Sequence, residues 1–377
     1  MKAAVLREVG KPLQIETVSI GKPGPREVLI RTKAAGVCHS DLHFVEGSYP
    51  HPLPAVLGHE SAGIVEAVGS EVRTVKVGDH VITCLNPYCG HCEVCLTGHM
   101  NLCISPETRR SKTDEPRLFK EDLSGSGDTK MAQFLNLSSF AEMMLVHEHA
   151  CVAIRRDMPF DLAALIGCSV MTGVGAVIHT SSVRPGETVA VIGCGGVGLA
   201  TINGAAIAGA GRIIAIDRVA SKLELAKQFG ATDLINADDG VCSGKEVDDD
   251  GDVVKQVQEL TGGGVQHSFE AIGLKVTAEQ SFKMLRRGGT ANIIGMIPVG
   301  TKIELTGSDF LGERRIQGSY MGSNRFPVDM PRLVDFYMSG KLKLDQMISR
   351  RIKLEEINSA FDELKRGELA RSVIVFD

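Results

Sequence analysis

Residues 188–198 read TVAVIGCGGVG, an apolar strand followed by a glycine-rich turn and the start of a helix. Gly193 permits the tight turn, Gly195 lets a pyrophosphate approach the backbone, and Gly198 lets helix and strand pack closely. The helix start would offer free N–H groups to phosphate. The candidate dinucleotide contacts in this turn are Gly193, Gly195, Gly196, Val197 and Gly198.

Asp217 ends the next predicted strand, about 20 residues after the glycine turn. Its carboxylate can accept hydrogen bonds from ribose hydroxyls and would repel a 2′-phosphate, which favours NAD over NADP. Arg218 beside it weakens this preference. A glycine turn with a purely structural role in an α/β domain is the alternative interpretation.

Strands alternate with helices on both sides of this turn, which predicts a parallel, doubly wound sheet. The predicted strands are Thr188–Ile192, Arg212–Ile216, Ser268–Ala271 and Ala291–Ile294. The predicted helices are Gly196–Ala208, Ser221–Phe229 and Val253–Leu260. After about Gly318 the pattern is less regular, with helices expected at Pro331–Ser339 and Leu354–Lys365 and a last strand at Ser372–Phe376.

The first third of the chain reads instead as short strands joined by turns. The predicted strands are Lys2–Leu6, Glu27–Lys33, Ala62–Val68 and His80–Thr83. Turn signals lie between them, such as GKPGP at 21–25, so we expect a compact β-barrel-like unit. Residues 105–130 are polar and charged, and we expect them to form a solvated surface loop.

Composition excludes several classes of protein. The chain has 377 residues, of which 43% are hydrophobic and 23% charged, as in ordinary globular proteins. A net charge of −5 disfavours nucleic acid and anionic membranes as partners. The start MKAAVLREVG lacks the apolar core of a secretory signal, so a cytoplasmic protein is expected. The uncharged stretch 188–211 is too rich in glycine to favour a membrane span.

Four cysteines lie in one short segment, spaced Cys89-x2-Cys92-x2-Cys95-x7-Cys103. Four thiolates suit tetrahedral Zn²⁺ and leave no open position, so this site should be structural. An iron–sulfur cluster is the chemical competitor. A DNA-binding zinc ribbon is another, although its Cys pairs are more widely spaced and its surroundings basic. His91, inside the segment, is expected to be exposed and not to bind the metal.

A second set of metal-binding residue types is dispersed: CHSDLH at 38–43, GHE at 58–60, and GC at 167–168. Each motif alone is weak evidence for a metal site, because a lone buried Cys or His is more often part of a hydrophobic core. Together they could supply Cys, His and Cys to one zinc with a fourth position open, which is the catalytic pattern. Such a zinc would polarise an alcohol oxygen.

With these motifs in this order, the chain resembles the zinc-dependent medium-chain alcohol dehydrogenases over nearly its whole length. The segment from Gly58 to Val72 resembles the family's zinc signature, and the C-terminal segment from Phe361 to Arg371 also matches. The resemblance implies a GroES-like β-barrel catalytic domain at 1–169, a Rossmann NAD-binding domain at 170–320, and a C-terminal segment at 321–377 that completes the catalytic domain.

The resemblance also implies roles for single residues. Cys38, His59 and Cys168 would bind a catalytic zinc, with Glu60 behind it as an occasional alternative ligand and Asp41 orienting the imidazole. Ser40 would take the alcohol proton and pass it, through the cofactor ribose, to His43. The remaining implied cofactor contacts are Lys222 at the adenosine ribose, Arg371 at the pyrophosphate, and His39, where many relatives have Arg and where phosphate binding should be weaker.

The implied reaction is reversible hydride transfer from a zinc-bound primary alcohol to NAD, with two zinc ions per chain. The substrate pocket of the family falls at Tyr49, Leu85, Phe134, Leu135 and Met296, with Tyr49 at the entrance. These large apolar side chains predict an aromatic, allylic or medium-chain alcohol. Glutathione-dependent formaldehyde dehydrogenase, which shares every motif, is the alternative within the enzyme class, and a non-enzymatic zinc-binding relative is the alternative outside it.

Two further expectations concern assembly and the other thiols. The long loop between Cys103 and Phe134 resembles that of dimeric relatives, so a homodimer is expected. The remaining cysteines match no ligand position and are interpreted as small apolar fillers or incidental surface thiols. They are Cys84, Cys151, Cys194 and Cys242.

Overall fold

The structure, a computed structural model, describes residues 1–110, 114–120, 129–238, 251–367 and 371–377. Its contacts divide the chain into two compact units. The first contains Met1–Cys168, Arg325–Gly340 and Leu344–Asp377, and the second contains Ser169–Asn324 and Lys341–Lys343. The domain limits expected from the sequence, at 169 and 320, stay a prediction.

The elements of the described chain are as follows. The strands are β1 Lys2–Leu6, β2 Gln14–Thr17, β3 Ser19–Ile20, β4 Glu27–Val37, β5 Ala55–Val56, β6 Ser61–Val68, β7 His80–Thr83, β8 Leu118–Lys120, β9 Thr129–Gln133, β10 Met143–His147, β11 Cys151–Ile154, β12 Thr188–Ile192, β13 Arg212–Asp217, β14 Asp233–Asn236, β15 Val265–Glu270, β16 Leu285–Ile293, β17 Arg315–Gly318, β18 Arg350–Ile352 and β19 Ser372–Val375. The α-helices are α1 His39–Val45, α2 Glu93–Leu96, α3 Phe160–Leu165, α4 Met171–Gly175, α5 Gly196–Ile207, α6 Ala220–Phe229, α7 Gly251–Thr261, α8 Lys275–Lys283, α9 Phe326–Met338 and α10 Ile357–Lys365.

The first unit is built on two largely antiparallel sheets. One has the order β2-β1-β5-β9-β8-β3, and the other has β11-β7-β6-β4-β19-β18 with β10 also paired to β4. The long strand β4 organises the second sheet, because β10 pairs with its first half and the C-terminal β19 with its second half. The C-terminal segment therefore completes a sheet that the N-terminal segment begins.

The second unit has a single parallel sheet with the order β14-β13-β12-β15-β16-β17. The strand order reverses at β12, as in dinucleotide-binding folds, where ligands bind beyond the carboxyl ends of the strands at this point. Strand β12 is apolar and almost wholly buried, because helices cover both faces of such a sheet. The predicted fold class, an α/β chain with a β-rich part, is confirmed.

Several helices differ from the sequence-based prediction, among them short helices that it lacks, α1, α2 and α8, and two longer stretches. A continuous helical stretch covers Phe160–Thr180 and includes π-helical turns at 166–170 and 176–180, and the sequence analysis had no helix there. Nearly every side chain in it is apolar and buried, so it lacks the polar face that marks an amphipathic helix. Helix α9 begins at Phe326 rather than Pro331, because Pro331 lies inside the helix without ending it.

The expectation of a solvated loop at 105–130 is wrong in part. Leu118–Lys120 forms β8, which pairs with β3 and β9. Arg117 is only 5% exposed, and its guanidinium donates to Glu27 of β4 at 2.8 Å. Arg110 also donates to Glu27. The charges of this segment are thus partly used to hold it against the sheet; residues 111–113 and 121–128 lie outside the described chain.

One helical stretch of the described chain, Phe160–Thr180, is long and apolar enough to cross a membrane by length and composition. Most of it, 89% of its most apolar window, is buried inside the structure, as in the core helices of globular domains.

Candidate active site and cofactor turn

The residues at the start of α1 position one ligand of the predicted catalytic metal site. Cys38 is the N-cap of this helix and has an extended backbone, with φ −117° and ψ 150°. The Asp41 carboxylate accepts a hydrogen bond from the Cys38 backbone N–H at 3.3 Å and another from the Gly58 N–H at 3.1 Å. Asp41 therefore ties the segment that carries Cys38 to the loop that carries His59.

Cys38, His59 and Cys168 meet inside the first unit, with their ligand atoms all within 4.8 Å of one another. His59 Nε2 lies 3.2 Å from Cys168 Sγ, and His59 Nδ1 lies 2.9 Å from Asp41 Oδ1. An Nδ1–H donated to Asp41 leaves Nε2 as the metal-binding nitrogen. Two thiolates and one imidazole with a fourth position open are the donor set of a catalytic zinc, so these residues fit the metal.

Burial and charge both act on this site. The Cys168 thiol, through its hydrogen bond, lowers the pKa of Cys38 well below its ordinary value, and Arg371 helps against the effect of burial. Burial raises the pKa of Asp41, although the interaction with His59 opposes the rise. A thiolate at Cys38 is the form that binds metal.

Glu60 lies immediately beside this group and is completely buried. Burial raises the pKa of its carboxyl group to about 7, against the effect of Arg371, whose Nη2 lies 3.7 Å from Glu60 Oε2. Neither carboxylate oxygen accepts a hydrogen bond from the part of the chain that the structure describes. Gly36 makes room for it, since a Cβ there would stand 2.4 Å from Oε1.

Arg371, expected at a cofactor pyrophosphate, belongs to the first unit and is buried. Its Nη1 donates to the Val37 carbonyl at 3.1 Å. Its proximity to Glu60 was missed in the sequence analysis, because nothing local links two residues so far apart in the chain. The pyrophosphate role stays a prediction.

The four-Cys segment also closes into a metal-sized cluster. The four sulfurs lie within 4.8 Å of one another, and the Cys89–Cys95 and Cys92–Cys103 sulfurs are each 3.9 Å apart. Tetrahedral Zn–S bonds of about 2.3 Å place sulfurs about 3.8 Å apart, so the cluster fits zinc without rearrangement. His91 is exposed and lies 3.3 Å from Glu107. It can approach Cys89 together with Glu107, but four sulfurs already complete a tetrahedral shell.

The predicted proton path begins on α1. Ser40 and His43 are three residues apart on this helix and are therefore neighbours on one face, whereas Asp41 points into the core. Both are half-buried, and the His43 ring lies 6.0 Å from the Tyr49 ring. His39, the first residue of α1, is exposed. Ser40 and His43 thus share a half-buried face of α1, while Asp41 lies on its buried face.

Four of the predicted pocket residues lie in the first unit: Tyr49, Leu85, Phe134 and Leu135. Phe134 is fully buried, and its ring centroid lies 6.0 Å from that of His59. Met296 lies in the second unit, just after β16, and is half-buried.

Two neighbours of Phe134 are not expected from the sequence. The Phe44 ring meets the Phe134 ring edge-on at 4.7 Å, and the His51 ring meets it edge-on at 5.3 Å. Neither residue belongs to a recognisable motif, so only the three-dimensional structure could bring them to this wall. Phe134, Phe44 and His51 therefore form an aromatic wall beside His59.

The glycine turn has the geometry that its sequence predicts. Gly193 has φ +96°, and a Cβ on Gly198 would stand 1.7 Å from the Gly193 carbonyl oxygen, so both positions need glycine. A Cβ on Gly195 would meet no atom within 4 Å among the described residues. The space before Gly195 is therefore open for a phosphate, which fits a dinucleotide.

Asp217 stands at the end of β13 beside this turn. Its Oδ2 accepts a hydrogen bond from the Cys194 N–H at 2.7 Å, and its Oδ1 accepts one from the Val219 N–H at 2.9 Å. The carboxylate is thereby fixed at the position where the ribose acid of a dinucleotide fold is expected. Lys222, on the first turn of α6, is half-buried. Gly196 and Val197 open α5.

The thiols without a predicted ligand role are buried where the structure describes them. Burial raises the pKa values of Cys84 and Cys194 above their ordinary range and that of Cys151 to about 12. These thiols therefore stay protonated and behave as small apolar side chains. Cys242 lies outside the described residues.

Comparison with known proteins agrees with this geometry. Residues 24–156 match the sequence family described as alcohol dehydrogenase GroES-like domain, and residues 196–338 match zinc-binding dehydrogenase. The chain is 39% identical to S-(hydroxymethyl)glutathione dehydrogenase of Synechocystis sp., over 99% of each chain. It is 37% identical to class-3 alcohol dehydrogenase of Cereibacter sphaeroides, over 100% of this chain and 99% of that one.

A solved structure extends the likeness to the whole fold. Benzyl alcohol dehydrogenase from Acinetobacter calcoaceticus shares 34% sequence identity and a TM-score of 0.90, over 100% of this chain and 99% of that one. The cofactors are accordingly NAD and two zinc ions, with a catalytic zinc site at Cys38, His59 and Cys168 and a structural zinc site at the four-Cys cluster. The role of the glycine turn stays a prediction. By these matches the chain belongs to the zinc-dependent medium-chain alcohol dehydrogenases and is an oxidoreductase.

Proposed function

We propose that this protein catalyses the reversible, NAD-dependent oxidation of a terminal CH2OH group to a carbonyl group at the site formed by Cys38, His59 and Cys168. A primary alcohol would give an aldehyde, and S-(hydroxymethyl)glutathione would give a thioester. The observation that carries the proposal is the bond between His59 Nδ1 and Asp41 Oδ1, which directs Nε2 toward the two thiols. A non-enzymatic relative, the alternative outside the enzyme class, would gain nothing from a three-ligand site with an oriented imidazole.

When bound, zinc supplies a Lewis acid that polarises the alcohol oxygen, and NAD supplies the hydride acceptor. The chain's own residues position the groups around the reacting atoms. Asp41 holds the imidazole of His59, and the aromatic wall of Phe134, Phe44 and His51 limits access of water beside it. Asp217, fixed by two backbone N–H groups, would hold the adenosine ribose.

The proton of the alcohol needs a path to solvent, and helix α1 offers one. The hydroxyl of Ser40 would accept this proton at Oγ while giving up its own, and the imidazole of His43 would pass the proton on to water. Their spacing of three residues on one helix face supports this order. A general base so placed contributes typically about 10²–10⁴-fold to a rate.

S-(hydroxymethyl)glutathione is the first substrate to test. Four similar relatives, 37–39% identical, carry this substrate in their names or are named class-3 alcohol dehydrogenases. This favours the alternative raised in the sequence analysis over its main interpretation, an aromatic, allylic or medium-chain alcohol.

Aromatic and medium-chain primary alcohols are the second candidate. The wall beside His59 is aromatic, and Leu85 is buried with Phe134 in the same unit. The structural relative named benzyl alcohol dehydrogenase supports the same class. Arg110 and Arg117, two cations of the segment that could have held a glutathione carboxylate, instead donate to Glu27.

A comparison of kcat/KM for S-(hydroxymethyl)glutathione with that for benzyl and cinnamyl alcohol separates the two candidates. A value at least tenfold higher for the glutathione adduct would establish the first, and the reverse order would establish the second. Ethanol serves as a small reference substrate that fills little of an apolar pocket. Activity with none of these alcohols would contradict the proposed function.

We also propose that the protein acts in the cytoplasm as a homodimer. Two apolar side chains of the second unit, Leu311 and Val299, are 90% and 71% exposed, and a second copy of the chain could cover them. Light scattering after gel filtration measures the mass in solution. A mass of one chain for the wild type would contradict the dimer, and Leu311→Asp should weaken a dimer built on this surface.

A further inference from the structure

Arg218 argues against NAD at the predicted adenosine-ribose site. It follows Asp217 directly, and an arginine in this neighbourhood is what accommodates the 2′-phosphate of NADP in dinucleotide folds. The sequence alone therefore carries two opposite signals, an acid that repels the 2′-phosphate and a cation that could bind it. Whether the Arg218 guanidinium can bind a 2′-phosphate depends on its contacts in the folded chain.

The contact that holds Arg218 is an ion pair with Asp238, which follows the neighbouring strand β14. Strands β13 and β14 are parallel, with Asp217 in register with Asn236, so their carboxyl ends meet at one edge of the sheet. Asp238 follows β14, and its backbone N–H donates to the Asn236 side chain at 3.0 Å. This turn aims the Asp238 carboxylate at Arg218, whose Nε donates to Asp238 Oδ1 at 2.6 Å.

We propose that Asp238 is a positioning residue for cofactor choice, which holds and neutralises Arg218 so that Asp217 alone determines the response to the ribose 2′ position. The proposal rests on the NAD site of the proposed function. Asp217 is itself held by Cys194 and Val219, so it does not depend on Asp238 for its orientation. Removing Asp238 should therefore free a cation without displacing the ribose acid.

The exposure of the Arg218–Asp238 pair limits the expected change in NADPH affinity. The side chains of Arg218 and Asp238 are 77% and 46% exposed, and exposed ion pairs contribute little to stability. A freed guanidinium beside a 2′-phosphate should therefore tighten NADPH binding about three- to fivefold at low salt. The gain should shrink as ionic strength rises, because solvent ions screen exposed charges.

The test is a set of binding titrations with NADH and NADPH on the zinc-loaded protein. The chain contains no tryptophan, so the fluorescence of the reduced nicotinamide reports binding without protein background. The readout is the ratio of the NADPH dissociation constant to the NADH dissociation constant. Asp238→Asn should lower this ratio about three- to fivefold, and Asp238→Glu, which can still pair, should restore it.

Two controls separate this role from a general change in charge. The double variant Arg218→Ala/Asp238→Asn should lose the gain, because no cation remains to be freed. Glu224→Gln removes another exposed carboxylate, which pairs with Lys227 on α6, and it should leave the ratio unchanged. The proposal is overturned if Asp238→Asn leaves the ratio unchanged, or if either control lowers it as much. Failure of NADH itself to bind would instead refute the proposed function.

Discussion

Asp41 Oδ1 lies 2.9 Å from His59 Nδ1, and the two side chains are 0% and 1% exposed. The same carboxylate accepts the N–H groups of Cys38 and Gly58, so one buried acid links two predicted metal ligands through the backbone and the imidazole. Carboxylates in this position fix the tautomer of a metal-binding histidine and raise its basicity. Asp41 is therefore expected to control metal affinity although it does not touch the metal.

Replacing Asp41 by Asn should weaken retention of one zinc by about 10–100-fold, because the amide keeps the size but not the charge that supports His59. Zinc content after dialysis against graded chelator measures this loss. Asp79→Asn is a matched control, since Asp79 also accepts a backbone N–H, from Lys76, but at an exposed turn. Equal zinc retention in Asp41→Asn and the wild type would contradict the role of Asp41.

The four-Cys cluster should hold a second zinc that supports the fold. Cys92→Ser should reduce the metal content from two zinc ions per chain to one and lower the melting temperature, because a structural site contributes its binding free energy to folding. Cys151→Ser is the control: this buried thiol lies outside both clusters and bonds the Glu148 carbonyl, which a serine can also do. Full zinc content in Cys92→Ser would contradict the structural site.

Some of this architecture could be predicted from local sequence, and the reasons are physical. Strand β12 and helix α5 were placed to within about a residue, because the Gly193–Gly198 turn has steric requirements that only glycine meets. The four-Cys cluster could be predicted because its ligands are close in the chain. The stretch Phe160–Thr180 could not, since a helix buried on all sides shows no periodic polar face.

The residue types indicated a dispersed Cys-His-Cys site, but only the resemblance assigned its ligands. Cys38, His59 and Cys168 become neighbours through the fold and not through spacing. The same holds for contacts that no motif records. Glu60 and Arg371 lie just before β6 and β19, which both pair with β4. Arg218 and Asp238 lie just after β13 and β14, which pair with each other. Such pairs depend on register and strand order, which residue types alone do not specify.

The proton path predicts a conditional loss of activity. His43→Gln should slow alcohol oxidation most at low pH, where base in solution is scarce, and added buffer base should restore part of the rate. The measurement is the pH dependence of kcat with a deuterated alcohol, under conditions in which hydride transfer limits the rate. A profile identical to that of the wild type would remove His43 from the mechanism.

The lowered pKa of Glu27 predicts how the free energy of unfolding depends on pH. Burial raises its pKa, but Arg110 and Arg117 outweigh this and lower the pKa to about 2. A lowered folded-state pKa contributes stability above the unfolded value near 4.5, and this contribution is lost as pH falls toward about 2. Glu27→Gln should therefore reduce the free energy of unfolding by about 3 kcal/mol at neutral pH, and the difference from wild type should shrink across that acidic window.

Urea unfolding at a series of pH values measures this difference. Glu66→Gln is the matched control, because Glu66 pairs with Arg31 on the surface and should contribute less than about 1 kcal/mol. A difference between wild type and Glu27→Gln that stays constant from pH 7 to pH 3 would show that the charge of Glu27 is not the source of the stability.

The cofactor site predicts a preference that Asp217 creates. Wild-type protein should have a higher kcat/KM with NAD than with NADP, because the carboxylate binds the ribose diol and repels a 2′-phosphate. Asp217→Gly should lower the ratio of kcat/KM with NAD to kcat/KM with NADP. A higher kcat/KM with NADP in the wild type would mean that the role given to Asp217 is wrong.

The most direct test of the account is steady-state formation of NADH from NAD and primary alcohols by protein of measured zinc content. We predict turnover with S-(hydroxymethyl)glutathione or with benzyl-type alcohols that is lost in His59→Ala, while that variant keeps the structural zinc and its ability to bind NADH. Absence of turnover with every alcohol in wild-type protein that carries both zinc ions and binds NADH would contradict the account.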